Sequence, residues 1–125
     1  MIFVLWRLNL KKINILKNNL EYTRIIKSNK PFKYKDYILY IEKNQSGPYK
    51  FGISVSKKLG NAVTRNKLKR QIKSIIDQKH YENSFNCIII LRKGILTKNF
   101  QQKQDSLFNA LKILNIIKED SSEKE

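Results

Sequence analysis

One stretch limits this chain more than any other: Phe51 to Arg70, which reads FGISVSKKLGNAVTRNKLKR. Its first part alternates. Phe51, Ile53 and Val55 fall on one side and Gly52, Ser54 and Ser56 on the other, the two-residue period of a strand over 49–56. A face of small residues leaves room for something to approach, either a bound ligand or a closely packed helix. Gly60 then marks a turn, and Asn61 is suited to cap a helix expected over about 62–80. In that helix Leu68, Ile72, Ile75 and Ile76 recur at the spacing of a core-facing stripe. At about 100° per residue, Arg65, Asn66, Lys69, Arg70 and Lys73 fan out along one flank and the back of the stripe, and Lys67 lies on the other flank. With Lys57 and Lys58 in the turn and no Asp or Glu anywhere in the stretch, like charge is crowded onto one short element. An anionic partner would relieve that repulsion.

The flanking sequence supplies a scaffold for this element. Asn18 or Asn19 can cap a first helix, with Glu21 favourable to its dipole and Tyr22, Ile25 and Ile26 on one face. Pro31 disfavours helical geometry in Lys30, so that helix fades near Ser28-Asn29. Residues 32–43 read as a strand in which Tyr37, Leu39 and Ile41 alternate with Ile38, Tyr40 and Glu42, and Asn44–Pro48 as a hairpin-type turn. Phe85–Leu91 is a near-continuous apolar run, the pattern of a central strand covered on both faces. The charged helix between strands 49–56 and 85–92 makes a βαβ unit, for which general statistics favour a right-handed crossover. A last helix spans 99–117, with Phe100, Leu107, Leu111 and Leu114 on one face. The α-β-β-α-β-α order predicts an α+β fold, a small single-domain α-β sandwich with a mixed sheet. Residues 1–125 form one domain, with an apolar extension over 1–15 and an acidic tail, 119–125, expected to fray.

Charge narrows the partners. The chain has 26 Lys and Arg against 10 Asp and Glu, a net +16, and four of those acids lie in the last seven residues. Such a field steers polyanions, nucleic acid foremost, although a Lys-rich surface inflated by codon bias would look similar. One cysteine, Cys87, excludes an internal disulfide and fits a reducing, cytoplasmic location. No apolar run reaches the roughly 18 residues of a membrane span, so no membrane partner is expected.

Side-chain chemistry is sparse. His80, the lone histidine, falls at the end of the charged helix, where a C-cap role suits it. Cys87 reads as a small core residue. Glu21, Asp36, Glu42, Asp77, Glu82 and Asp105 are scattered, without a close pair for acid–base or two-metal work, and no Gly-rich phosphate loop is present. No catalytic residue, protein-held metal or small-molecule cofactor is expected. Binding is another matter. The helix N-terminus at Asn61 offers free N–H groups to a phosphate. Arg65 and Arg70 can grip phosphate in bidentate fashion, while Lys57, Lys58, Lys67, Lys69 and Lys73 act as point charges. Only five Arg occur in the chain, yet two fall in this segment, so planar geometry matters there. Tyr40 either stacks on an unpaired base or packs in the core.

Gly52 to Arg70 closely resembles the signature of the bacterial ribonuclease P protein subunit, which carries an Arg-Asn-Arg run followed by Lys-Arg on its second helix. The likeness spans roughly residues 16–115, including Tyr37–Tyr40 and the Ile-Ile-Ile-Leu-Arg-Lys segment at 88–93. The resemblance implies the protein subunit of a ribonucleoprotein endonuclease that removes the 5′ leader of precursor tRNA. It also implies that the catalytic centre sits on the large RNA, with Mg2+ held mainly by that RNA and the substrate. Carried over by position, Arg65, Asn66, Lys67, Lys69 and Arg70 would contact the ribonuclease P RNA. Tyr22, Ile26, Tyr40 and Ser54 would line the cleft for the leader, between the first helix and the sheet. The family's crossover is left-handed, against the general rule. Lys67 departs from the family's Arg, keeping the charge and losing the fork, and Ile26 replaces a cleft aromatic. A ribosomal or general RNA-binding protein with a similar basic helix is the competing reading. A protein-only nuclease is disfavoured by the missing carboxylate cluster.

Overall fold

The structure, a computed structural model, describes residues 14–43 and 47–118. The apolar extension up to residue 13 and the acidic tail from 119 lie outside the described residues. Helix α1 (Asn19–Ser28) starts where Asn18 accepts a hydrogen bond from the Leu20 N–H, and ends at Asn29 ahead of Pro31. Strands β1 (Phe32–Tyr34), β2 (Tyr37–Lys43) and β3 (Lys50–Ser54) follow, then α2 (Ala62–Ile76), β4 (Phe85–Leu91) and α3 (Phe100–Ile113). The result is an α+β sandwich around a mixed four-stranded sheet, in the order β1-β2-β4-β3.

The segment expected as one strand over 32–43 is two. Lys35 adopts a left-handed conformation (φ 49°), and Tyr34 pairs with Tyr37 across a two-residue turn. Tertiary contacts hold the reversal. Asp36 pairs with Lys98 at 3.2 Å, and its carbonyl accepts the Arg92 N–H at 2.8 Å. The expected hairpin at Asn44–Pro48 is also corrected, although residues 44–46 lie outside the described residues. β4 inserts between β2 and β3, antiparallel to the first and parallel to the second. Turn residues signal a reversal of direction but not the choice of partner. The most apolar strand takes the centre, where both faces and both edges are covered.

The two faces of the sheet carry different loads. On one, Tyr37, Leu39, Phe51, Cys87 and Ile89 pack with Ile72, Ile75 and Ile76 of α2 and Leu107 and Leu111 of α3. On the other, α1 covers a smaller cluster: Leu16, Ile25 and Ile88, flanked by Tyr22, Ile26, Tyr40 and Ile90. The stripe read on α2 is buried as its spacing requires. On α3, Leu107 and Leu111 are buried and Leu114 packs against the core as their spacing predicts, with Lys103, Ser106 and Ala110 buried beside them, whereas Phe100 in the first turn is exposed. Helix α2 stops at Ile76, where the Tyr81 hydroxyl donates to the last carbonyl at 2.7 Å. His80 therefore lies beyond the helix and does not cap it; its carbonyl accepts from the Lys118 N–H. Within the segment read as an extension, Asn14 is buried and Ile15 bridges to Phe51 at the outer edge of β3.

Candidate nucleic-acid interface

The cationic element is built by local rules. Ser56 caps a short turn over Lys57–Leu59, with Lys57 and Lys58 exposed and Leu59 buried. Gly60 follows at φ 147°, and a Cβ there would meet Thr64 at 3.0 Å, so the turn needs glycine. The Asn61 side chain accepts the Thr64 N–H at 2.9 Å and opens α2. Asn66, Lys67, Arg70 and Lys73 are exposed along the helix, and Lys69 is half-buried. Arg65 is half-buried too, its Nε–H donating to the Gly60 carbonyl at 3.2 Å. That bond holds the root of the guanidinium beside the helix N-terminus and leaves its terminal amino groups for an anion.

A second feature adjoins the first. Leu16, Lys17, Asn19, Tyr22, Ile53, Ser54, Val55 and Lys69 line a shallow cleft of about 260 Å³ where α1, the end of β3 and α2 converge. The small face of β3 explains how it forms. A Cβ at Gly52 would fall 2.4 Å from the Tyr22 hydroxyl oxygen, so Gly52 lets the Tyr22 ring settle against the strand. The Tyr22 hydroxyl donates to the Leu16 carbonyl at 3.3 Å, and burial raises its pKa against a backbone hydrogen bond at Ile53 that lowers it. Two cations, a phenol and a serine thus border one opening, a lining suited to a strand with charged backbone and stackable bases. Arg24 ion-pairs with Glu42 and fastens α1 to β2; the bond holds the Glu42 carboxyl below the usual carboxylate range.

Of the four cleft residues read from the sequence, Tyr22 and Ser54 line this opening. Ile26 and Tyr40 sit beside it on the same sheet face, half-buried in the smaller apolar cluster. Lys69 joins the two features, lying on the basic run of α2 and on the cleft wall. Sequence reasoning missed Lys17 and Asn19, whose only signal was proximity to the first helix. Cys87 is fully buried and its thiol is pushed up to about 12, a core residue. Among the described residues no group of three His, Cys, Asp or Glu side chains comes together that could hold a metal ion.

Fold and surface together define a class: a small basic α+β protein that presents a cationic crossover helix and an adjoining cleft to a polyanion. The Ribonuclease P family model matches residues 10–115. The chain is 48% identical to the ribonuclease P protein component of Mycoplasma mobile over 99 residues, covering 78% of this chain and 87% of that one. It is 35% identical to that of Streptococcus pneumoniae, covering 93% and 97%. Among solved structures, the RNase P protein of Staphylococcus aureus superposes with TM-score 0.76 at 34% identity, covering 86% of this chain and 100% of that one. The RNase P protein of Thermotoga maritima gives 0.70 at 27%, covering 78% and 94%. This chain belongs to the ribonuclease P protein family. It is a protein component of that ribonuclease, with a role in tRNA processing alongside an RNA partner.

Proposed function

We propose that this chain binds the ribonuclease P RNA through α2 and the preceding turn, and holds the 5′ leader of precursor tRNA in the cleft beside Tyr22. Lys57, Lys58, Asn61, Arg65, Asn66, Lys67, Lys69, Arg70 and Lys73 take the RNA contacts in this reading; Tyr22, Ile26, Tyr40 and Ser54 take the leader. Hydrolysis belongs to the RNA subunit, and Mg2+ is held there and by the substrate. The chain contributes electrostatic neutralisation and placement of the leader in the cytoplasm. The observation that supports this most is the convergence of the capped, acid-free N-terminal half of α2 with a Lys- and Tyr-lined opening at Lys69.

Reconstitution tests it. Mixed with a bacterial ribonuclease P RNA at low magnesium, the purified protein is expected to raise the rate of leader cleavage well above that of the RNA alone. No increase would overturn the reading, and cleavage by the protein without added RNA would favour a protein-only nuclease.

A further inference from the structure

The α2–α3 seam contains a buried cation without an acid. Lys103, on α3, is only 7% exposed, and its ammonium donates to the neutral Gln71 side chain of α2 at 2.7 Å. Its position is fixed: the Lys103 N–H donates to the Asn99 carbonyl, and its own carbonyl accepts the buried Tyr37 hydroxyl at 2.8 Å. The ion pairs Arg24–Glu42 and Lys98–Asp36 do not involve Lys103, whose ammonium is bonded to the Gln71 amide oxygen. Lys67 stands one turn before Gln71 on α2. Burial lowers the Lys103 pKa, and the Lys67 charge lowers it further. Lysines so buried are ordinarily paired. Here one lysine of α3 is bonded to Gln71 and another stands one turn before Gln71 on α2, a grouping of like charge that an anion would relieve.

We propose that Lys103 and Lys67 form a two-lysine seat for a single phosphate of the RNA, with the Gln71 amide steering the Lys103 ammonium. The seat carries the RNA-contacting surface from α2 onto α3. It rests on the reading that α2 binds the ribonuclease P RNA, and it gives Lys67 a geometric role. Where a guanidinium fork would grip a phosphate alone, the shorter-reaching point charge is supplemented by a second one from the neighbouring helix.

The test is RNA affinity against salt for the full chain and for Lys103→Met and Lys103→Arg, each with a thermal melt. Lys103→Met is expected to melt at or above the wild-type temperature, since repulsion and desolvation are both removed. It is expected to shallow the log–log salt slope of binding to the ribonuclease P RNA by about 0.7–0.9, one counterion's worth. Lys103→Arg is expected to restore the slope. Unchanged affinity and slope in Lys103→Met would overturn the seat while leaving the α2 reading intact. So would a Lys103→Met that melts well below wild type, because the ammonium would then be a structural member of the core. Equal weakening by Arg and Met would show that charge is not what matters. If the wild type itself fails to bind the RNA, the reading and the seat fall together.

Discussion

Arg65 shows how a residue's role is divided between sequence and fold. Two arginines in a chain that uses lysine almost everywhere pointed to planar recognition at 65 and 70. The structure adds that the Arg65 Nε–H is already committed to the Gly60 carbonyl, so the guanidinium is aimed before any partner arrives. Less rotamer freedom is then lost on binding. Replacing Arg65 or Arg70 by Ala is expected to cost about 1.5–3 kcal/mol of RNA affinity each, the range for hydrogen bonds to charged groups. Lys33→Ala and Lys35→Ala, on the far edge of the sheet, should change it little. Equilibrium binding at one salt concentration makes the comparison, and equal losses at all four positions would indicate a diffuse patch. Lys103 was not legible, because a lysine in a polar helix turn looks exposed until the neighbouring helix is placed over it.

At the scale of elements, the contact of α1 with β3 shapes the cleft. Gly52 is buried under the Tyr22 ring, and a methyl group there would lie 2.4 Å from the hydroxyl oxygen. Gly52→Ala is therefore expected to destabilise the fold by about 1–3 kcal/mol, as overpacking does, and to push Tyr22 out of the opening. Urea denaturation measures the first effect, and affinity for a single-stranded leader oligonucleotide should fall with it. The small face of β3 was legible in the sequence; whether a ligand or a helix filled it was not. The helix does so at Gly52, which Tyr22 of α1 covers, and an opening is left at Ser54. The end of α2 was read too late for a similar reason. Asp77-Gln78-Lys79-His80 holds no Gly or Pro to signal the stop, and only the packing of Tyr81 places a hydroxyl on the final carbonyl.

For the molecule as a whole, charge sets the terms. With net +16 and few acids available for pairing, the surface needs an anion to screen it. Binding to the RNA partner should weaken by about 10³-fold or more between 50 and 200 mM salt, as expected when at least six phosphates are neutralised together. A titration of affinity against salt reads this directly, and a shallow dependence would mean that few of the cations touch RNA. The two faces of the sheet divide the work. α2 and α3 bury the larger core and carry the fixed cations, while α1 closes a smaller cluster and borders the cleft.

The Phe51–Ile76 stretch by itself determined the strand, the glycine turn, the capped helix, the buried stripe and the positions of the cations, because each follows from local periodicity and backbone preference. It also carried the family resemblance. Tertiary structure alone decided that β4 separates β2 from β3, since strand partners are chosen by burial over the whole sheet and turn chemistry does not encode them. It likewise decided that Lys69 reaches the cleft beside Tyr22, while Lys103 of α3 bonds Gln71, one turn from Lys67. Both neighbours come from segments distant in sequence, and only the packed core brings them to the two flanks of one helix.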